Sequence, residues 1–219
     1  MKKIGEWWIP DYETVDKVIK RVRNESWTCI EPIEKCYKYI KKFDRAIDIG
    51  TWVGDSTKLM ANKFGFVHAF EAKPDVYECC KKNLNEKNIT NIDLQNYALS
   101  DSDGKKILLN GMSTVSGWIN TKEQPAAHAY EAEVECRTLD SFGLTDIDFI
   151  KIDVDSHEGY LLQGCKEFFK NNNPIILMEH KLKTINRQRS DMPNPIQFLE
   201  SIGYKQVEQA SRIDIIFTR

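Results

Sequence analysis

Nothing in this chain is apolar for long enough to cross a bilayer, and Met1-Lys2-Lys3 leads into no apolar run of the kind a signal peptide carries. The expectation is a cytoplasmic protein with no membrane partner. The six cysteines (Cys29, Cys36, Cys79, Cys80, Cys136 and Cys165) include no C-x-x-C pair, and adjacent Cys79 and Cys80 are poorly placed to bond each other. Structural zinc and a disulfide framework are therefore not expected, and the thiols read as reduced. An excess of one charge is also missing. Thirty-one basic residues against thirty-three acidic ones leave a net charge of −2, with no global pull toward nucleic acid. The lysines between Lys35 and Lys42 read as a solvated helix face. No Gly/Ser/Pro-rich linker, internal repeat or low-complexity stretch divides the 219 residues. One structural domain is expected, with an arm and helical cover over 1–43 and the main body over 44–219.

The chain does hold core material, at 41% hydrophobic residues. Its most telling stretch runs from Arg45 to Glu71. Ala46-Ile47-Asp48-Ile49 is a short apolar run, and Gly50 and Gly54 follow at once. Asp55-Ser56-Thr57 then offers N-cap chemistry for a helix. A second apolar run, Phe66 to Phe70, ends in Glu71. This is a strand–helix–strand unit with a glycine-rich first crossing. Glycine lets backbone approach a ligand, and an acidic residue at the end of the second strand can accept both hydroxyls of a ribose. Glu71 lies 23 residues after Asp48, close to the ~20 expected of a nucleoside-binding unit.

A dinucleotide site would want G-x-G-x-x-G. Here the pattern is Asp48-x-Gly50-x-x-x-Gly54, with bulky Thr51-Trp52 where the middle glycine would lie. That crowds a pyrophosphate and argues against an NAD-dependent oxidoreductase. An acidic Asp48 suits a ligand with an ammonium group, and S-adenosylmethionine (SAM) has that group, a ribose and no phosphate.

Around this unit the order is largely strand and helix in alternation. Trp7-Trp8-Ile9 reads as a docked arm. Helices are predicted over Thr14–Arg23, Pro32–Lys42, Pro74–Asn85, Gly159–Phe169 and Pro195–Ile202. Strands are predicted over Ile92–Tyr97, Lys105–Leu109, Glu131–Arg137, Ile147–Asp153 and Pro174–Met178. The polar stretch from Asn110 to Ala129, with Ser113, Ser116 and Trp118, reads as a candidate substrate loop. Tyr204–Glu208 and Ile213–Thr218 are joined too closely for anything but an antiparallel hairpin.

Four stretches together resemble the FkbM family of SAM-dependent methyltransferases: AIDIGTWVG, HAFEAKPDVY, LQNYALSDSDG, and RTLDSFGLTDIDFIKIDVDSHEGYLLQG with PIILMEH after it. Ile30-Glu31-Pro32 is similar to the segment that precedes the glycine motif. The resemblance covers roughly residues 30–182. Two positions depart from it: Thr51-Trp52 stands where Ala-Asn is usual, and Asp155-Ser156 where Glu-Gly is usual.

The resemblance implies an α/β, Rossmann-like class I methyltransferase fold. It would have a mostly parallel seven-stranded sheet, a C-terminal antiparallel β-hairpin and an N-terminal helical cover. It implies SAM as cofactor, S-adenosylhomocysteine (SAH) as product, and O-methylation of a small-molecule or glycan acceptor. A binding protein that holds SAM or a partner without turnover is the alternative. Cofactor contacts are expected from Glu31, Asp48, Gly50, Thr51, Trp52, Gly54, Ser56, Thr57, Glu71, Ala72, Asn96, Tyr97, Ala98 and Asp153. Asn96 is a candidate reader of the adenine edge. Asp153, His157 and His180 fall at strand ends on one sheet edge and are the candidate catalytic groups. No metal is expected; Asp153, Glu179 and His180, with Asp155 and His157 near them in the topology, form the alternative metal set. His68 and His128 are assigned no role.

Overall fold

The structure is a computed structural model that describes residues 1–104, 106–113, 116–119, 130–181 and 192–219. The chain opens with a short hairpin, β1 (Lys2–Ile4) and β2 (Trp7–Ile9), then α1 (Asp16–Arg23) and α2 (Ile30–Cys36). Next come β3 (Arg45–Ile49), α3 (Asp55–Ala61), β4 (Phe66–Phe70), α4 (Pro74–Glu86), β5 (Ile92–Gln95) and β6 (Ala98–Leu99). The strands β7 (Lys106–Ser113), β8 (Ser116–Ile119) and β9 (Tyr130–Arg137) precede β10 (Phe149–Ile152). After α5 (Glu158–Gln163), α6 (Lys166–Asn171) and β11 (Ile175–Glu179), the chain closes with α7 (Pro195–Ser201), β12 (Lys205–Gln209) and β13 (Asp214–Thr218).

Seven strands form the main sheet in the order β12-β13-β11-β10-β3-β4-β5. The five from β11 to β5 are parallel, and β13 and β12 are added antiparallel, as the sequence leads one to expect. Side chains alternate across this sheet with period two. Ile47, Ile49, Ile150, Ile152, Ile176, Met178, Ile215 and Phe217 face one layer, with Leu161, Phe168 and Leu199 from α5, α6 and α7. Ala46, Val67, Phe149, Leu177 and Ile216 face the other, with Ile33 and Met60 from α2 and α3. Both faces are covered, so the central strands are nearly all apolar. Two of the polar exceptions, Asp48 and Lys151, are register partners on adjacent strands. No helix among the described residues is long and apolar enough to cross a membrane.

Four local expectations shift. The N-terminal cover includes a strand hairpin as well as helices. It is anchored by Asn83, which accepts from the Trp8 N–H at 2.7 Å and donates to the Trp8 and Val53 carbonyls at 2.9 Å. The second helix starts at Ile30 and ends in a 3₁₀ turn at Tyr37–Tyr39. The helix predicted over Gly159–Phe169 is two helices. Asp140 accepts from the Glu167 and Phe168 N–H groups at 3.1 and 2.7 Å, giving α6 its own start, and a Cβ on Gly164 would stand 2.1 Å from the Ser100 carbonyl. Of the candidate loop, Ser113, Ser116 and Trp118 fall in β7 and β8, paired in a second, four-stranded sheet; residues 114–115 and 120–129, including His128, lie outside the described residues.

Candidate active site

The C-terminal ends of β3, β4, β10 and β11 meet at one edge of the sheet. Gly50 closes β3 with φ +83°, and a Cβ there would stand 1.8 Å from the Asp153 carbonyl. The glycine is thus required first by the packing of two strand ends against each other. Trp52 (φ +48°) and Gly54 (φ +97°) complete the turn into α3.

Glu71, at the end of β4, clamps this turn. One carboxylate oxygen accepts from the Trp52 N–H and the other from the Lys73 N–H, both at 2.9 Å. Burial pushes its carboxyl up to about 7, against the lowering effect of those bonds.

Asp48 lies under the turn, wholly buried. It accepts from the Ser56 and Thr57 hydroxyls at 2.8 and 2.7 Å and sits 3.3 Å from the Lys151 ammonium. Lys151 also donates to the Gly50 carbonyl at 3.0 Å and lies 3.8 Å from Asp153. Burial alone would lower its pKa, but the carboxylates of Asp48 and Asp153 more than offset this and raise it. Asp48 and Lys151 therefore tie β3, β10 and α3 together beneath the site.

On the other side, Lys181 reaches Glu179 at 2.5 Å and Asp155 at 3.1 Å. Asp153, Asp155 and Glu179 each place a carboxylate oxygen within 4.8 Å of the others'. Burial, then the neighbouring Asp153 charge, holds Glu179 well above the ordinary carboxylate range. Asp155 and Ser156 both have positive φ, and Glu158 accepts weakly from the Val154 and Ser156 N–H groups at 3.4 and 3.3 Å. Asp153 is the most open of the three acids, its side chain 41% exposed.

These ends enclose a cavity of about 390 Å³. Of the residues expected at the cofactor, Gly50, Thr51, Trp52, Ser56, Glu71, Ala72, Tyr97, Ala98 and Asp153 line it, and so does His157. Five do not. Asp48, Gly54 and Thr57 lie behind the wall. Glu31 is exposed and pairs with Lys35 at 2.7 Å. The Asn96 amide donates to the Glu71 and Ala72 carbonyls at 2.7 and 3.1 Å, bracing the turn after β4.

The two histidines separate. His157 is buried on the cavity wall, its Nε2 3.0 Å from the Ser100 hydroxyl and its ring stacked on Tyr160. His180 is off the wall; its Nδ1 has no partner among the described residues, and burial lowers its pKa. Among the described residues the acidic trio is Asp153, Asp155 and Glu179, so Asp155 stands where the alternative metal set had His180, and Lys181 already supplies a cation there.

Arg21, Cys29, Lys73, Lys151 and Lys181 also line the cavity and were not expected. Lys151 carried a signal, a lysine inside the apolar run Phe149-Ile150-Lys151-Ile152. Arg21 carried none, because α1 meets this edge only through tertiary packing.

A family model described as the methyltransferase FkbM domain matches residues 46–205. Among solved structures the chain is similar to a methyltransferase FkbM from Methylobacillus flagellatus KT (TM-score 0.55, 14% identity, 98% of this chain and 56% of that one). It is also similar to a precorrin 8w decarboxylase from Methanobacterium thermoautotrophicum (TM-score 0.55, 13% identity, 100% of each chain). A third is a SAM-dependent O-methyltransferase from Thermotoga maritima (TM-score 0.52, 13% identity, 95% of this chain and 71% of that one). At such identities these likenesses establish the fold. No curated protein sequence matches.

Proposed function

The chain belongs to the methyltransferase FkbM family, and from that premise we propose that it transfers the methyl group of SAM to a hydroxyl of a small-molecule or glycan acceptor, releasing SAH. The observation that carries this reading is the Glu71 clamp. A carboxylate offers about four lone-pair sites, of which the two backbone N–H groups take two. Acceptor capacity therefore remains for the two hydroxyls of a ribose. Phe70, Tyr97 and Leu99 provide an apolar wall for an adenine beside it. The cavity volume suits a ligand of this size. The residues present thus fit the cofactor.

When bound, SAM supplies an electrophilic methyl on a sulfonium sulfur. The protein's task is to orient the acceptor oxygen in line and to receive its proton. Asp153 suits this role: a partly exposed carboxylate at the end of β10, on the cavity wall, with the Lys151 ammonium behind it. Asp155, Glu179 and His157 add further hydrogen-bonding groups at the same end, which suits a hydroxyl-bearing acceptor. His180 does not line the cavity and is given no part in this reading.

The test begins with calorimetric titration of SAM and SAH into the full chain. Tritium transfer from labelled SAM into a panel of sugars and nucleotide sugars then follows, for wild type and Asp153→Asn. The expected result is tight SAM binding by both proteins, with turnover by Asp153→Asn reduced about 10²–10⁴-fold. Absence of SAM binding by wild type would refute the assignment. Binding with no transfer to any hydroxyl acceptor would instead favour a cofactor-holding protein.

A further inference from the structure

Four cationic side chains line the cavity: Arg21, Lys73, Lys151 and Lys181. Three are engaged. Lys151 serves Asp48 and the Gly50 carbonyl, and Lys181 bridges Asp155 and Glu179. Lys73 is buried and has an interaction of its own. The Arg21 guanidinium has no hydrogen bond or ion pair among the described residues.

Arg21 is held at the cavity by the packing of its helix. Val18 and Val22 of α1 are buried with Trp7 and Val53. Arg21 is three residues from Val18 and adjacent to Val22, so it projects beside the buried stripe of α1, not opposite it. The following segment is fixed as well. The Trp27 ring lies edge-on to Trp7 at 4.8 Å and to Trp52 of the glycine turn at 6.1 Å. Cys29 donates to Asp55 at the start of α3, at 3.2 Å. Residues 21–29 thus form a wall against the glycine turn, and all of them precede the matched family domain at 46–205.

We infer that Arg21 binds the α-carboxylate of the cofactor's amino-acid half, an inference that rests on the SAM reading above. A carboxylate taken from water needs a cation with matching donors, and a guanidinium presents two parallel N–H groups to its two oxygens. Asp55, on the same cavity, offers the opposite charge. An amino-acid zwitterion needs one partner of each sign. The arm is then part of the cofactor site rather than a cover for the sheet.

The test compares two ligands on the full chain. SAH carries the amino-acid carboxylate; 5′-methylthioadenosine keeps the nucleoside and thioether and lacks it. Calorimetry on wild type, Arg21→Ala and Arg21→Lys measures each affinity. Arg21→Ala is expected to weaken SAH about ten- to hundredfold and leave methylthioadenosine within about twofold. Arg21→Lys, which keeps the charge without the fork, should fall between. The melting temperature of Arg21→Ala should match wild type, because the guanidinium has no partner among the described residues to lose. Unchanged SAH affinity in Arg21→Ala would overturn the inference, as would equal loss for both ligands. If wild type bound neither ligand, the SAM reading itself would fall and this assignment with it.

Discussion

Replacing Glu71 with glutamine tests the charge state of the clamp. Burial raises the folded-state carboxyl from 4.5 to about 7, so the native protein holds a proton that the unfolded chain has released. The contribution of this group to stability is therefore most favourable below pH 4.5 and worsens as pH rises toward 7. At ~1.4 kcal/mol per pH unit the interval is worth roughly 3 kcal/mol. Glutamine does not ionise and escapes that loss. It keeps one oxygen for one backbone N–H but turns an NH₂ toward the other, at about 1–3 kcal/mol, whatever the pH. Guanidinium unfolding of both proteins at about pH 5 and about pH 8 reads the difference. The stability gap should move in favour of Glu71→Gln by roughly 2–3 kcal/mol between those conditions. Glu158, also pushed up to about 7 by burial, remains in both proteins and cancels. A gap that stays constant with pH would refute the reasoning. Ribose hydroxyls should bind the ionised form, so wild-type SAH affinity should also fall below about pH 7, by at most about tenfold per pH unit, and that of Glu71→Gln should not.

Lys151→Met leaves the buried Asp48 with only the Ser56 and Thr57 hydroxyls. It is expected to cost about 3–5 kcal/mol in chemical denaturation, with part recovered by adding Asp48→Asn; a loss under about 1 kcal/mol would show that the pair is not coupled to the fold. Gly50→Ala drives a Cβ to 1.8 Å from the Asp153 carbonyl at φ +83°. A loss above about 4 kcal/mol is expected, and a variant with wild-type circular dichroism and melting would mean the two strand ends can part freely.

The part of the cavity wall around the glycine turn was readable because its residues are local in sequence. Gly50, Trp52 and Glu71 belong to one strand–helix–strand unit, and their spacing alone brings them together. The sheet was readable for a related reason, since buried parallel strands announce themselves as apolar runs and the last hairpin follows from a short connection. What escaped depends on contacts between distant segments. Asp48 is polar at a strand end, where a ligand contact is a reasonable expectation. Only the register of β3 against β10 shows that Lys151 occupies it. The Asn96 amide donates to a neighbouring turn because the carbonyls of Glu71 and Ala72 lie within its reach, a contact no spacing in the sequence announces. The break between α5 and α6 needs Asp140 and Ser100, residues well upstream of the helices they divide.

The distribution of tryptophan makes the arm optically separable from the rest. Of five tryptophans, Trp7, Trp8, Trp27 and Trp52 share one cluster at the arm and the glycine turn. Among the described residues, the large cluster on the face of the sheet covered by α5, α6 and α7 has phenylalanine and tyrosine but no tryptophan. In a Trp118→Phe background, tryptophan emission therefore follows seating of the arm and of the glycine turn, while far-ultraviolet dichroism follows the sheet and helices. If the arm undocks before the body unfolds, the two signals will part during a denaturant titration; if they coincide, arm and body melt as one cooperative unit.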